Sequence, residues 1–346
     1  MWNTYAEKVK TNIESKYYRI SNARGVISVL ATNGASTPKM YSKADGNKLV
    51  SSIWQLKVCE DGFKMHSVDN PEGYIAALTN AAASDNSGKT ANSFTNYTNG
   101  IKLVPTKRTD GYYEIRDGAG NILNGENTGN CPINYWNAGS GSEGAKWQFT
   151  EATDLTITLN AANNNTYATT YLPFSISSVT GAKAYVAQGI NNGYVHVDET
   201  TNGVKAENGF LLIGEAGNTT ATLTIGESET TSQMTGTLTD LDITNENHDL
   251  YNVFGRKTGT TEGTTIVGFF TPSSNVTSIK ANRGFFKGSG TQALMLNFNG
   301  ESTGIEAATI DTQFTNTSIY DLSGRKVAKP AKGGVYIQNG RKYIIK

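Results

Sequence analysis

Catalysis requires titratable groups that converge, and this sequence offers few arrangements of that kind. Its three histidines are His66, His196 and His248, and none falls in an H-x-x-x-H or H-E-x-x-H pattern. Zinc hydrolysis therefore has no signature, and each imidazole is read as a solvated or satisfied structural group. Cys59 is followed by Glu60 and Asp61, and adjacent carboxylates disfavour the thiolate a nucleophile needs. Cys59 and Cys131, the only cysteines, are expected as two unpaired, partly buried thiols, with a single bridge as the alternative. Carboxylates cluster at Glu60-Asp61 and Asp240-x-Asp242, but glycosidase chemistry depends on a separation in space that spacing does not supply. The run Asp240–Asp249 departs from a calcium loop because Thr244 stands at the third ligand position and the turn glycine is missing, so it reads as polar loop. Gly255-Arg256-Lys257-Thr258 matches only the end of a phosphate cradle and lacks the earlier glycine. These readings predict no enzyme, no metal and no cofactor.

Sugar recognition needs a different set: an aromatic face for the apolar side of a pyranose, and planar amides or carboxylates for its hydroxyls. Asn121-Ile122-Leu123-Asn124-Gly125 followed by Pro132-Ile133-Asn134-Tyr135-Trp136 comes nearest. On a strand, the i, i+2 spacing places Asn134 and Trp136 on one side. The alternative for Trp136 is a partly buried loop or core aromatic. Lys39 and Tyr41 repeat the same spacing with Ser28 as their expected second-strand partner, a weaker constellation. Ala77 leaves the middle part of this region blind.

These residues must be carried by short strands. Tyr17–Ser21, Gly25–Leu30 and Ile53–Val58 are apolar-rich runs punctuated by Gly, Asn, Asp and Ser, which predicts an all-β protein. Helical spacing occurs once, with Tyr5, Val9 and Ile13 on one face, and predicts a helical leader over 1–14. Residues 15–152 hold a threefold internal repeat of roughly forty residues per unit. Its units open at Tyr17-Tyr18-Arg19-Ile20, Asp61-Gly62-Phe63-Lys64-Met65 and Asp110-Gly111-Tyr112-Tyr113. The first closes on Ile53-Trp54-Gln55-Leu56 and the third on Lys146-Trp147-Gln148-Phe149, where Trp54 and Trp147 are read as core. Three such units close a barrel together rather than singly.

The repeat with its closing Trp-Gln motifs resembles a ricin-type β-trefoil. That resemblance implies that Asn124, Asn134 and Trp136 occupy the family's carboxylate, amide and stacking positions, with Tyr41 as the stacking residue of the first unit. Asn124 stands where the family usually has Asp; Gly144 and Ala145 stand where it has Asn and Gln. Ser52 likewise replaces a Gln, and the second unit has no Trp.

From Asp154-Leu155-Thr156-Ile157-Thr158-Leu159 onward, alternating runs at 167–176, 182–187, 209–213, 220–225, 265–270 and 293–298 predict an antiparallel β-sandwich over 153–300. The polar stretch Glu227–Asp249 reads as a loop or excursion. Tyr167–Phe174 with Gly181–Tyr185 resembles a β-module of secreted Bacteroidota proteins. The segment 301–346, with Ser318–Val327, Lys332–Ile337 and Arg341–Lys346, reads as a short β tail with turns at Ser323-Gly324, Gly333-Gly334 and Asn339-Gly340. It resembles the C-terminal sorting domain of type IX secretion cargo.

The bulk composition narrows the partners. With 30 basic and 30 acidic residues the net charge is zero, which disfavours nucleic-acid binding through a broad basic field. No apolar run reaches the roughly 20 residues of a membrane helix, and Met1–Lys10 lacks a signal-peptide core. The expectation is a secreted or cell-surface accessory region of a longer precursor. Its expected partners are a weakly bound glycan, an N-terminal domain of the same precursor and, through the tail, the secretion machinery. The alternative is a spacer and sorting region for an upstream enzyme or adhesin.

Overall fold

The computed structural model describes residues 10–32, 38–46, 48–70, 73–76, 94–127, 131, 133–135, 141–162, 165–245, 248–258, 265–288 and 293–298, and four strands between 319 and 344. Contacts divide the chain into two compact units: Met1–Arg256 with Val267–Ser302, and Lys257–Ile266 with Thr303–Lys346. The architecture is all-β, and the helical segments among the described residues are short, such as Lys43–Gly46.

The first strands are β1 (Tyr18–Asn22), β2 (Ile27–Thr32), β3 (Pro38–Ser42), β4 (Ile53–Cys59), β5 (Gly62–Ser67), β6 (Tyr74–Ile75) and β7 (Phe94–Thr95). They are followed by β8 (Val104–Lys107), β9 (Tyr113–Arg116), β10 (Leu123–Gly125), β11 (Ile133–Tyr135) and β12 (Trp147–Glu151). Six of them join in a ring. β1 pairs with β12 and β4, β4 pairs with β5, and a bridge between Phe63 and Leu103 leads to β8. β8 pairs with β9, which meets β12 through Trp147 and Tyr113. The remaining six form three hairpins, β2 with β3, β6 with β7, and β10 with β11.

Alternating inward positions fill the ring: Ile20, Trp54, Leu56, Phe63, Met65, Ile115 and Trp147 belong to one buried cluster. A buried indole must still satisfy its N–H. Trp54 Nε1 donates to the Leu30 carbonyl at 3.0 Å and Trp147 Nε1 to the Leu123 carbonyl at 2.8 Å, in each case 24 residues upstream. The first and third lobes are thus tied by the same bond. The leader is helical at 10–14, where Ile13 packs on this cluster; positions 5 and 9 lie outside the described residues.

Only Ala152 and Thr153 separate the ring from the next strand. The further strands are β13 (Asp154–Thr158), β14 (Asn160–Ala162), β15 (Asn165–Thr170), β16 (Ile176–Thr180), β17 (Ala182–Asn191), β18 (Tyr194–Thr200), β19 (Phe210–Gly214) and β20 (Thr220–Ile225). After these come β21 (Thr235–Thr237), β22 (Leu241–Asp242), β23 (Tyr251–Thr258), β24 (Thr265–Phe270), β25 (Ser278–Ile279), β26 (Arg283–Lys287) and β27 (Leu294–Phe298). A three-stranded sheet β13-β20-β16 faces the strands β15-β19-β17 of a ten-stranded sheet, and Leu155, Leu223, Ala168, Phe210 and Leu212 fill the space between. This layer is sandwich-like. The larger sheet departs from a simple antiparallel sandwich, because β18 and β27 pair in parallel. Its ends also converge: Tyr171 N donates to the Asn282 carbonyl at 3.1 Å, and an Arg283 Nη1 to the Thr169 carbonyl at 3.5 Å. Gly181 turns β16 into β17 at φ +81, beside the Thr220 carbonyl, a conformation that side chains resist.

The stretch Glu227–Asp249 is not a free excursion. Met234 and Ile243 are buried at 1% and 0% exposure, and Gln233 N donates to the Ala187 carbonyl at 2.8 Å. Two apolar anchors hold an otherwise polar segment. In the second unit, β28 (Ile319–Asp321), β29 (Lys326–Val327), β30 (Val335–Gln338) and β31 (Arg341–Ile344) form one sheet in the order β29-β28-β30-β31. The three expected tail turns lie outside the described residues.

The ring and the sandwich-like layer share one core. Val50, Ile53 and Val68 from the ring join Leu155, Phe174 and Leu223, the Tyr17 ring packs at a tilt against Phe174 with centroids 5.2 Å apart, and Ala152 N donates to the Tyr17 carbonyl. Ile53→Ala is expected to cost about 2–5 kcal/mol and to lower the unfolding of both layers as a single transition in urea. Two separated transitions in the wild type would refute the shared core. Beside Val68, Asp69 is buried and accepts from Ser67 Oγ and from Thr32 Oγ1 at 3.2 Å. Burial raises its pKa from the ordinary 3.8, against the lowering effect of those hydroxyls. Folding therefore favours the neutral acid, and the associated stability is lost as pH rises through the raised value. Asp69→Asn should gain more on wild type at about pH 7 than at about pH 4; the same difference at both, by urea unfolding, would exclude this.

Candidate functional site

The hairpin β10–β11 brings two of the expected residues face to face. Asn124 and Asn134 are directly paired across it, and Asn124 Nδ2 donates to Asn134 Oδ1 at 3.0 Å. Glu126, two residues beyond Asn124 and so on the same side, completes a triangle. Its Oε1 accepts from Asn124 at 2.7 Å and from Asn134 at 3.3 Å. Arg24, from the turn after β1, closes the charge with Nη2 at 3.3 Å from Glu126 Oε2. Another Arg24 amine donates to Asn127 Oδ1 at 3.0 Å, and Ser142 Oγ donates to Asn124 Oδ1 at 3.4 Å.

These groups are engaged with one another. Asn124 is 0% exposed, Asn134 3% and Glu126 8%. A buried carboxylate is tolerable only when paired and hydrogen-bonded, and this one has both amides and a guanidinium. Gly144 makes that packing feasible. A Cβ at that position would collide with Asn124 Oδ1, Arg24 Nε and the Gly125 carbonyl, while its own N–H donates to Ser142 Oγ. The absent side chain at Gly144 is thus a steric condition of the Arg24–Glu126 pair.

The other expected residues fall elsewhere. Trp136 and Ala77 lie outside the described residues. Tyr41 is half-buried on β3, with Lys39 Nζ 5.2 Å from its ring centroid, and its hydroxyl is buried without a hydrogen-bond partner. Burial raises its pKa. Met40 between them points the other way, onto Gly125, so alternation keeps Tyr41 apart from the amide cluster. Ser28 is not the cross-strand partner of Lys39 and Tyr41. The register shifts between Ile27 and Val29, leaving Ala31 opposite Lys39 and Val29 opposite Tyr41. Ser28 sits in that bulge and donates instead to the Gly25 carbonyl at 3.1 Å.

Cys59 and Cys131 form no disulfide and both are half-buried. The Cys59 thiol is raised first by burial, with Glu60 and Asp61 adding and Lys64 and Lys102 opposing. His66 stacks on Tyr74 at 4.6 Å, and His248 faces the Ile243 carbonyl. Asp240 binds Lys280 at 2.7 Å and Asp242 accepts from Thr244 N at 2.8 Å. Among the described residues no three metal-ligating side chains converge. Glu126, Arg24 and Ser142 escape sequence reasoning, although the i, i+2 relation of Asn124 and Glu126 is a signal for one of them.

No family model matches the chain, and no curated protein matches it. Among solved structures it is similar to the Polyporus squamosus lectin bound to the human-type influenza-binding epitope Neu5Aca2-6Galb1-4GlcNAc. Identity there is 18% and the TM-score 0.33, over 41% of this chain and 50% of that chain. It is also similar to a mosquitocidal holotoxin at 14% identity and a TM-score of 0.33, over 80% of this chain and 33% of that chain. The chain thus spans half or less of the length of these structures.

The cluster predicts an asymmetry between neighbouring glycines. Gly144→Ala is expected to destabilise by about 1–3 kcal/mol through overpacking, whereas Gly141→Ala, where an added Cβ meets nothing within 4 Å, should stay within about 0.5 kcal/mol of wild type. Thermal unfolding of both variants checks this, and equal losses would refute it.

Proposed function

We propose that this chain is a non-catalytic accessory region of an exported, cell-surface bacterial protein, and that it binds glycans weakly through its third lobe. The observation that carries the reading is the hairpin β10–β11, fixed by a buried Asn–Asn–Glu–Arg cluster immediately before Trp136. In this reading the ring is a degenerate ricin-type trefoil. Trp136 is its stacking platform and the buried amides are positioning residues that hold the strand leading to it. Tyr41 offers a second, poorer aromatic in the first lobe. One stacking ring without free amides supports affinity on the order of millimolar, which a tethered neighbouring domain or repeated copies would raise by effective concentration. The tail then serves as a sorting segment of the type IX kind in a Bacteroidota precursor, with an upstream domain supplying any activity.

A second reading is favoured by the exposures of Asn124 and Asn134, 0% and 3%. With both amides engaged internally, the region acts as a spacer and sorting module without a ligand in the ring.

A glycan array probed with wild type and Trp136→Ala separates the two. Signals present in wild type and lost in the variant, with unchanged thermal unfolding, support the lectin reading. Equal binding by both proteins, or none by either, leaves the spacer.

A further inference from the structure

The converging ends of the ten-stranded sheet line a half-open cavity of about 540 Å³, far from the third-lobe hairpin in sequence. Its volume lies within the range typical of small-molecule sites. Tyr167, Phe254 and Ile279 are among its lining residues; Tyr167 is nearly fully buried, and the half-buried Phe254 ring lies 5.6 Å from it, centroid to centroid. It also carries Arg256, Lys280 and Arg283, and no Asp or Glu lines it among the described residues.

The three cations are not equally neutralised. Lys280 is exposed and bound to Asp240 at 2.7 Å. Arg256, on β23, is exposed and has no ion pair among the described residues. Arg283 is half-buried and likewise lacks a carboxylate there; its hydrogen bond is a long one, 3.5 Å to the Thr169 carbonyl. Burial lowers its pKa, but a guanidinium remains charged at neutral pH. A partly desolvated guanidinium without a counter-charge attracts a planar anion, which its fork of donors fits in bidentate fashion. The neighbouring aromatic and aliphatic groups suit the apolar side of a ring compound.

We propose that this cavity binds a carboxylate-bearing sugar of monosaccharide to disaccharide size, a hexuronic acid. Arg283 holds the carboxylate, Arg256 strengthens the attraction at the mouth, and the Phe254 side supports the sugar ring. This site is independent of the third-lobe reading.

Isothermal titration of the full chain with glucuronate, glucose, acetate and glucose 6-phosphate tests the assignment. Glucuronate is expected to bind about tenfold or more tightly than glucose and acetate, and more weakly as salt rises. Arg256→Ala, an exposed change, should weaken glucuronate about tenfold. Arg283→Lys, which keeps the charge but loses the fork, should weaken it too, with folding verified by circular dichroism. Trp136→Ala should leave it unchanged. Equal binding of glucuronate and glucose, tighter binding of acetate or glucose 6-phosphate, absence of glucuronate binding, or no effect of Arg256→Ala would each overturn the proposal.

Discussion

Strands buried on both faces cannot alternate polar with apolar side chains, and they pack only if two separate cores accept their opposite faces. β15 and β19 are of this kind, and β17 joins them where Val186 and Ala187 are both buried. Along β19, Phe210 and Leu212 enter the core shared with the ring while Leu211 enters the core of the curled sheet. On β15, Ala168 faces the first core and Tyr167 the second; on β17, Ala184 and Val186 face the first and Ala187 the second. The three strands therefore act as a partition. Through one face they anchor Ile53 and Val68 of the ring, and through the other they present Tyr167 to the cavity. A register slip of one residue would exchange the two faces along the whole strand.

Much of this partition is legible in the sequence, since Phe210-Leu211-Leu212 is a continuous apolar run and Asp154–Thr158 alternates. The ring was legible for another reason: its units open on aromatic-bearing strands and two of them close on Trp-Gln motifs, whose indoles the structure buries. Less visible were β23 and β26. Both contain a glycine, which weakens a strand pattern, and a Cβ on Gly284 would come within 2.6 Å of Met234 Sδ and 3.3 Å of the Thr170 carbonyl, so close approach explains the glycine there. The anchoring of Glu227–Asp249 escaped because two isolated apolar residues, Met234 and Ile243, carry no periodicity. The parallel pairing of β18 with β27 joins strands distant in sequence, which local pattern does not encode.

The candidate site shows the same limit in electrostatic form. Asn124, Asn134 and Trp136 were legible as a spacing, but spacing does not reveal whether an amide faces solvent or a carboxylate. Glu126 decides that. Once its charge lies at 8% exposure, both amides and Arg24 are required around it, and the requirement propagates to Gly144, whose missing side chain leaves room for the guanidinium. A cluster of this kind favours one hairpin geometry, because each buried amide keeps its carboxylate and amide partners only in that pairing. Both amides are engaged inside the cluster and hold the hairpin pairing.

A zero net charge says little about such local fields. Charges more than about 8–10 Å apart are largely screened in physiological salt, so each neighbourhood is governed by its own nearest partners. Near the surface, Lys16 meets Glu151, Lys183 meets Glu199 and Lys205 meets Glu229, each within 2.9 Å, and these pairs cancel locally. Around Glu126 the cancellation is internal, by Arg24. Arg283 is the contrary case, because folding withdraws it from water without bringing a described carboxylate to it. Its desolvation is a cost that packing of β26 against β15 alone does not remove. An anion entering the cavity would offset that cost, which is why the field that matters for recognition is found there and not in the overall charge.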